Sequence, residues 1–294
     1  MTAGRIAIIG GSGQLGAALG EVFRERAVAC PPHAELALER TGEVAGLLDA
    51  FAPDVLINCA AFHHVDGCER EPERAFAINA LAVDRAAEAC ASRGVTFVTF
   101  SSDYVFDGTL ARPYREDDAP NPHTVYGASK LAGELLTRRH GSRHLIVRTS
   151  GVFGAAGSSN KGLTLIERAL GQAERGEPTA MVDDIVFSPS YAPHVARAVR
   201  DLVDGQAYGT HHVTNAGSCS WYGFVRTAFT KAGLAEAPLE PVTYRSLGNR
   251  TPRPAHSPLA NTTFTALGID ALPPWTAALD AFLAARAARL ASTR

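Results

Sequence analysis

The chain predicts an α/β fold: a doubly wound parallel sheet with helices on both faces and a smaller, discontinuous C-terminal lobe. Three observations predict it. Apolar, β-branched runs alternate with helix-compatible stretches through the first half, the pattern of a parallel sheet covered on both sides. The chain opens on a strand, a glycine turn and a helix, in that order. The second half is less regular and is interrupted by Gly-, Ser- and Pro-rich stretches.

Arg5-Ile6-Ala7-Ile8-Ile9 is apolar and reads as a buried strand, over 5–10. It ends in Gly10-Gly11-Ser12-Gly13-Gln14-Leu15-Gly16, spaced G-x-x-G-x-x-G, and a helix follows over 14–26. In this context the glycines permit a tight turn, and the helix N-terminus offers free N–H groups to a pyrophosphate. The motif predicts a Rossmann-type, dinucleotide-binding half. Further strands are expected at 27–30, 55–58, 95–100 and 145–149, and helices at 42–51, 72–93 and 122–140. The glycine turn, Asn58-Cys59-Ala60-Ala61 and Ser101-Ser102-Asp103 all fall at carboxyl ends of strands. Ligands of such sheets bind there, which groups the three into one site.

In the second half, 154–162 reads as a mobile loop, 164–174 and 191–203 as helices and 211–215 as a strand. A helix over 221–233 has Ser220 as its N-cap. Prolines exclude regular structure from 251–258. An alanine-rich helix follows Pro273-Pro274. The expected division is a Rossmann domain over 1–153, with returns near 183–215, and a smaller lobe from 154–182 and 216–294.

At 294 residues the chain can bury a large core. It is 46% hydrophobic and 20% charged, with a formal net charge of −2. Nothing in that balance draws it to nucleic acid or to an anionic membrane. No apolar run approaches a membrane span, and no secretory leader is visible. Five cysteines at irregular spacing give neither a disulfide framework nor a zinc knuckle. A reducing, cytoplasmic setting is expected.

The chemistry is carried by Tyr126-Gly127-Ala128-Ser129-Lys130. Residues four apart share a helix face. A lysine charge there favours tyrosinate and lowers the phenol pKa, making Tyr126 a better proton donor to a carbonyl that receives a hydride. Asp103 reads as a loop cap in preference to an orienting group. Asn79, within a long helix, suits the core and the site equally. His63-His64 and His211-His212 cannot easily chelate one ion, because neighbours on a strand point to opposite faces. No metal site is expected, although His63 or His64 can line the site. After the second strand, Cys30-Pro31-Pro32-His33 offers neither an acid for a ribose 2′-OH nor a base for a 2′-phosphate. NADPH or NADH is expected, with a slight preference for NADPH.

These stretches resemble the extended short-chain dehydrogenase/reductase superfamily and, within it, the dTDP-4-dehydrorhamnose reductases. Further matching stretches are 53–61, 77–80, Ser101 through Gly108 (S-S-D-Y-V-F-D-G), Arg148-Thr149-Ser150, Ser220-Trp221-Tyr222-Gly223-Phe224 and Arg253-Pro254-Ala255-His256-Ser257. The resemblance implies reduction of the C4 keto group of a nucleotide-linked 4-keto-6-deoxy sugar, dTDP-linked above all. It implies Tyr126 as proton donor, Lys130 lowering its pKa and holding the nicotinamide ribose, and Ser102 bonding the substrate carbonyl. Gly10, Gly13, Gln14, Leu15, Cys59, Ala60, Ala61 and Ser101 would contact the cofactor. Val65, Tyr104, Val105, Phe106 and Gly151 would face the sugar, with Arg253 and Ser257 near its nucleotide. A homodimer is implied as well.

Five departures from the family pattern stand out. Gly151 stands where a tryptophan usually follows R-T-S, so a wider or differently shaped pocket is expected. The segment D-Q-x-G-x-P-T appears as Asp183 to Ser190, a partial match, and His194 replaces an aspartate opening the next helix. Leu36-Ala37-Leu38-Glu39-Arg40 replaces a short acidic motif. Phe62-His63-His64-Val65 stands for a tyrosine and small residues. Two other readings are a nucleotide-sugar epimerase or dehydratase of the same superfamily, and a non-catalytic, dinucleotide-binding regulatory subunit. The intact Ser102, Tyr126 and Lys130 argue against the last.

Overall fold

The computed structural model describes residues 4–154, 162–248 and 251–292. Strand β1 (Arg5–Ile9) buries four of its five residues, in line with its apolar run. Helix α1 (Gln14–Val22) follows, then β2 (Ala27–Ala29), α2 (Thr41–Phe51) and β3 (Val55–Asn58). Next come three short helical pieces in series. These are α3 (Val65–Arg70), α4 (Pro72–Phe76) and a π-helical turn, Ala77–Ala82, that runs into α5 (Val83–Ala91). Strand β4 (Thr96–Ser102) leads through a 3₁₀ turn, Asp103–Val105, to α6 (Val125–Arg138) and β5 (His144–Thr149).

The remaining elements are β6 (Val152–Phe153), α7 (Leu165–Glu174), β7 (Thr179–Val182), β8 (Val186–Phe187) and β9 (Ser190–Tyr191). After them come α8 (Ala192–Asp204), β10 (Gly209–His212), β11 (Cys219–Ser220) and α9 (Trp221–Lys231). The last are β12 (Leu239–Val242), a 3₁₀ turn (Tyr244–Leu247), α10 (Thr262–Leu267) and α11 (Trp275–Ser292). The loop expected at 154–162 lies, apart from its first and last residues, outside the described residues.

The main sheet runs β10-β5-β4-β3-β1-β2, every pair parallel. From β1 the chain goes to β2 on one side and returns to β3 on the other. The order therefore reverses between β1 and β3, and a crevice opens beyond their carboxyl ends. The pleat splits the core in two, because alternate residues face opposite ways. Ile6 and Ile8 pack with Leu19, Phe23, Val195 and Val199 under α1 and α8. Ala7 and Ile9 pack with Leu48, Val83, Ala86 and Phe97 under α2 and α5.

A third core joins α7, α9 and α11 around Phe153, Phe187, Phe224 and Phe282. It is bound by the two-stranded pairings β6-β9, β8-β11 and β7-β12. Phe264 and Leu272 fall within 216–294, yet they pack in the first core, beside β10. The Pro-rich segment thus carries the chain back over the sheet before α11 returns to the third core. No described helix is long and apolar enough to cross a membrane.

Two close approaches bring the helices to the site. A Cβ at Gly127 would lie 2.1 Å from the Tyr104 carbonyl oxygen, so α6 can begin against the turn after β4 only with glycine there. A Cβ at Gly133 would lie 2.3 Å from the Asn79 carbonyl oxygen, where α6 crosses the π-helical turn. Thr124 caps α6, its Oγ1 accepting from the Gly127 N–H at 2.9 Å.

Candidate active site

A cleft of about 540 Å³ lies beyond the carboxyl ends of the central strands, closed on its far side by α7 and α9. Gly13, Gln14, Leu15, Cys59, Ala61, Val65, Ser101, Ser102, Tyr104, Tyr126, Lys130 and Gly151 all line it. His63 lines it too, whereas His64 turns away to cap α3, its Nδ1 accepting from the Gly67 N–H at 2.8 Å.

The glycine turn is built by contact. Gly10 has φ +78, and a Cβ on it would meet the Ala60 nitrogen at 2.9 Å, so β1 and β3 release their chains side by side. A Cβ at Gly16 would meet the Gly10 oxygen at 2.3 Å, so the first turn of α1 folds back onto the loop. Helix α1 opens at Gly13 with no side-chain cap, which leaves its first N–H groups to an anion. Gln14 Oε1 and Thr149 Oγ1, both on cleft-lining residues, are buried without a partner. Capless amides at one end and unsatisfied polar atoms along the wall fit the pyrophosphate and ribose of a dinucleotide.

Lys130 is 5% exposed. Burial lowers its ammonium pKa to about 8, against the opposing field of Glu134 one turn on. Tyr126 differs from the expectation. Burial raises its phenol above the ordinary value of 10.0, and the hydrogen bond with Ser102 only partly offsets that. Desolvation disfavours the charged form of each. Tyr104 packs edge-on against Tyr126, with ring centroids 5.6 Å apart.

Asp103 is the hub of the site. Its carboxylate accepts from Ser102 at 2.9 Å, Ser150 at 2.9 Å and Ser257 at 2.6 Å. Burial pushes its pKa up while the three hydroxyls pull the other way. The ends of β4 and β5 and the late Pro-rich segment are thereby pinned to one carboxylate. A carboxylate only accepts, so the single hydroxyl proton of Ser102 is committed to Asp103. Ser102 Oγ accepts from the Tyr104 N–H at 3.2 Å and meets the Tyr126 phenol. Ser102 thus lies in the cleft against the phenol.

Other site expectations are revised. Val105 and Phe106 are fully buried with Tyr114 and Leu259, and Phe106 stacks on Tyr114 at 4.2 Å. They support the wall from behind and do not face the cleft. Ser257 is spent on Asp103. Arg253 stands behind Tyr104, its guanidinium 5.9 Å from that ring. It pairs with Asp66 at 2.8 Å and donates to the Tyr244 hydroxyl at 3.1 Å. Its Nη1 is buried without a partner, in the lining of a separate 360 Å³ hollow with Tyr244 and Arg245. Asn79 braces the core, bonding Ser129 at 3.0 Å and both backbone groups of Phe62. His194 takes a 2.8 Å contact with Asn215. His211 and His212 are buried in backbone and side-chain contacts, and no metal-ligating cluster exists among the described residues.

At Gly151, where a wider or differently shaped pocket was expected, the space of a side chain is taken by Phe187. Gly151 has φ +50, and a Cβ there would sit 2.1 Å from the Phe187 ring. Phe187 comes from β8, which no spacing around Gly151 reveals. Trp221 and Phe224 complete that wall. The motif at 220–224 contained both, without a signal of which side they face.

The lowered Lys130 pKa is directly measurable. The chain holds only three lysines, Lys130, Lys161 and Lys231. In ¹³C-lysine-labelled protein, one side-chain signal is expected to titrate near pH 8 and to vanish in Lys130→Arg. A Lys130 signal titrating near 10.5 would contradict the burial argument.

The RmlD substrate binding domain family matches residues 4–288. The spore coat polysaccharide biosynthesis protein SpsK of Bacillus subtilis is 40% identical over 219 residues, covering 74% of this chain and 75% of that protein. The dTDP-4-dehydrorhamnose reductase of Streptomyces griseus is 32% identical over 281 residues, covering 92% and 90%. Among solved structures, the dTDP-4-dehydrorhamnose reductase of Bacillus anthracis in complex with NADP superposes with a TM-score of 0.90 at 30% identity. That match covers 96% of this chain and 99% of the other. Fold, site and sequence agree end to end, and the chain belongs to the dTDP-4-dehydrorhamnose reductase family, the family of the RmlD substrate binding domain.

Proposed function

We propose that the protein is an NAD(P)H-dependent reductase of the C4 keto group of a nucleotide-activated 4-keto-6-deoxy sugar. The observation that carries this reading is the convergence of Tyr126, Lys130 and Ser102 with the capless α1 N-terminus in one cleft. A bound nicotinamide supplies the hydride. Tyr126 gives its phenolic proton to the keto oxygen as C4 is reduced, so the product is an alcohol and a tyrosinate remains to be reprotonated. The ammonium of Lys130 stabilises that tyrosinate. Ser102, fixed by Asp103, holds the phenol in line. Arg253, with one free nitrogen, suits a phosphate of the substrate's nucleotide. The α7–α9 lobe closes over the sugar.

NADPH is the preferred cofactor in this reading. Cys30, at the end of β2, brings no carboxylate against a 2′-phosphate. The test is absorbance at 340 nm with purified protein and dTDP-4-keto-6-deoxy sugar. Consumption of reduced dinucleotide equal to the sugar reduced is expected, faster with NADPH than with NADH. Turnover without net consumption would instead identify an epimerase or dehydratase.

A further inference from the structure

Gly151 after β5 and Trp221 at the start of α9 line the cleft with Tyr126, and the buried Phe187 of β8 backs both. Phe187 occupies the space of a Gly151 side chain, with ring atoms 2.1 and 2.2 Å from where a Cβ would stand. Its ring then stacks on the Trp221 indole at a centroid distance of 3.8 Å and an interplanar angle of 18°. Phe224 meets that indole edge-on at 6.4 Å. The ladder of β8 and β11, which pairs Phe187 with Cys219, sets this register. Ser220 fixes the helix start by accepting from the Gly223 N–H at 2.9 Å. The indole is clamped on one face, and Trp221 lines the cleft alongside Gly151 and Tyr126.

We infer that Trp221, backed by Phe187, is a specificity-determining residue whose open indole face packs against the sugar ring of the substrate. This rests on the ketoreductase reading. An apolar, rigid aromatic face suits the C–H face and C6 methyl of a deoxy sugar and leaves a C6 hydroxyl without a partner.

The chain has two tryptophans, Trp221 and Trp275, so a Trp275→Phe protein reports on Trp221 alone. With NADP⁺ bound, a dTDP-6-deoxysugar is expected to change its emission, and dTDP at equal saturation is not. Trp221→Ala is expected to raise KM for the keto sugar about tenfold or more while KM for NADPH stays put, with Trp221→Phe in between. An emission response to dTDP equal to that of the sugar nucleotide, or an unchanged KM in Trp221→Ala, would overturn the inference. Wild-type turnover of the same sugar separates the two failures. If the wild type is inactive, the ketoreductase reading falls; if it is active and Trp221 is silent, only this assignment falls.

Discussion

Tyr126→Phe is expected to lower turnover by about 10²- to 10⁴-fold, the range that a positioned general acid contributes. Dinucleotide binding should persist, because the glycine turn and the α1 N-terminus do not depend on the phenol. The size follows from the site. Tyr126 lines the cleft with Lys130 and Ser102, and its buried phenol carries its proton at neutral pH. Beside it, the Ser102 hydroxyl bonds Asp103, and the Tyr104 phenol, also raised by burial, stands beside Arg253. Steady-state kinetics and a dinucleotide titration on the same preparation check both halves. Near-normal turnover in Tyr126→Phe would remove Tyr126 as the donor.

The largest effect on stability is expected away from the chemistry. Arg148 and Glu134 form a paired contact at 2.8 and 2.7 Å, with side chains 3% and 1% exposed. Burial alone would raise the Glu134 pKa, but the bond and charge of Arg148 outweigh it and hold the carboxyl below its ordinary 4.5. Arg148→Met leaves that carboxylate buried without its bidentate partner, with the more exposed Arg138 at 2.9 Å and the weaker support of Ser101. A loss of about 3 kcal/mol or more is expected, within the range for a broken buried pair. Because the folded pKa is depressed, the pair's contribution is present at neutral pH. It fades as pH falls below about 4.5 and Glu134 protonates. Urea denaturation of wild type and Arg148→Met at pH 7 and in acid measures this. The Glu134→Leu/Arg148→Met double variant should recover most of the loss, since well-packed apolar pairs often match buried ion pairs.

The centre of the sheet was legible because β1, β3 and β4 are largely apolar runs that stop at glycine, asparagine or serine, whereas β10, Gly-Thr-His-His, has no apolar run and starts two residues before the expected 211. The 55–58 strand and the 221 helix start coincide with β3 and α9. The short pieces were not legible. Two-residue strands such as β6 and β8 have no period to read, and α3 hides behind Phe62-His63-His64. The helix expected over 72–93 is real but carries a π-helical turn at Ala77–Ala82, which changes no composition.

Within the site, the local spacing of Tyr126 and Lys130 placed both in the cleft, yet their pKa directions depend on burial, a property of the whole fold. The Asp103 hub joins Ser102, Ser150 and Ser257 across more than a hundred residues of chain. Gly151 signalled a change in the wall, and only the fold shows that Phe187 fills it.

The most direct measurement uses NADPH carrying deuterium at the transferable C4 position of its nicotinamide, incubated with the protein and dTDP-4-keto-6-deoxy sugar. Mass spectrometry and NMR of the product should show one deuterium, at C4 of the sugar, and almost none with Tyr126→Phe. Product without deuterium at C4, or deuterium incorporated at equal rate by Tyr126→Phe, would contradict a Tyr126-driven ketoreductase.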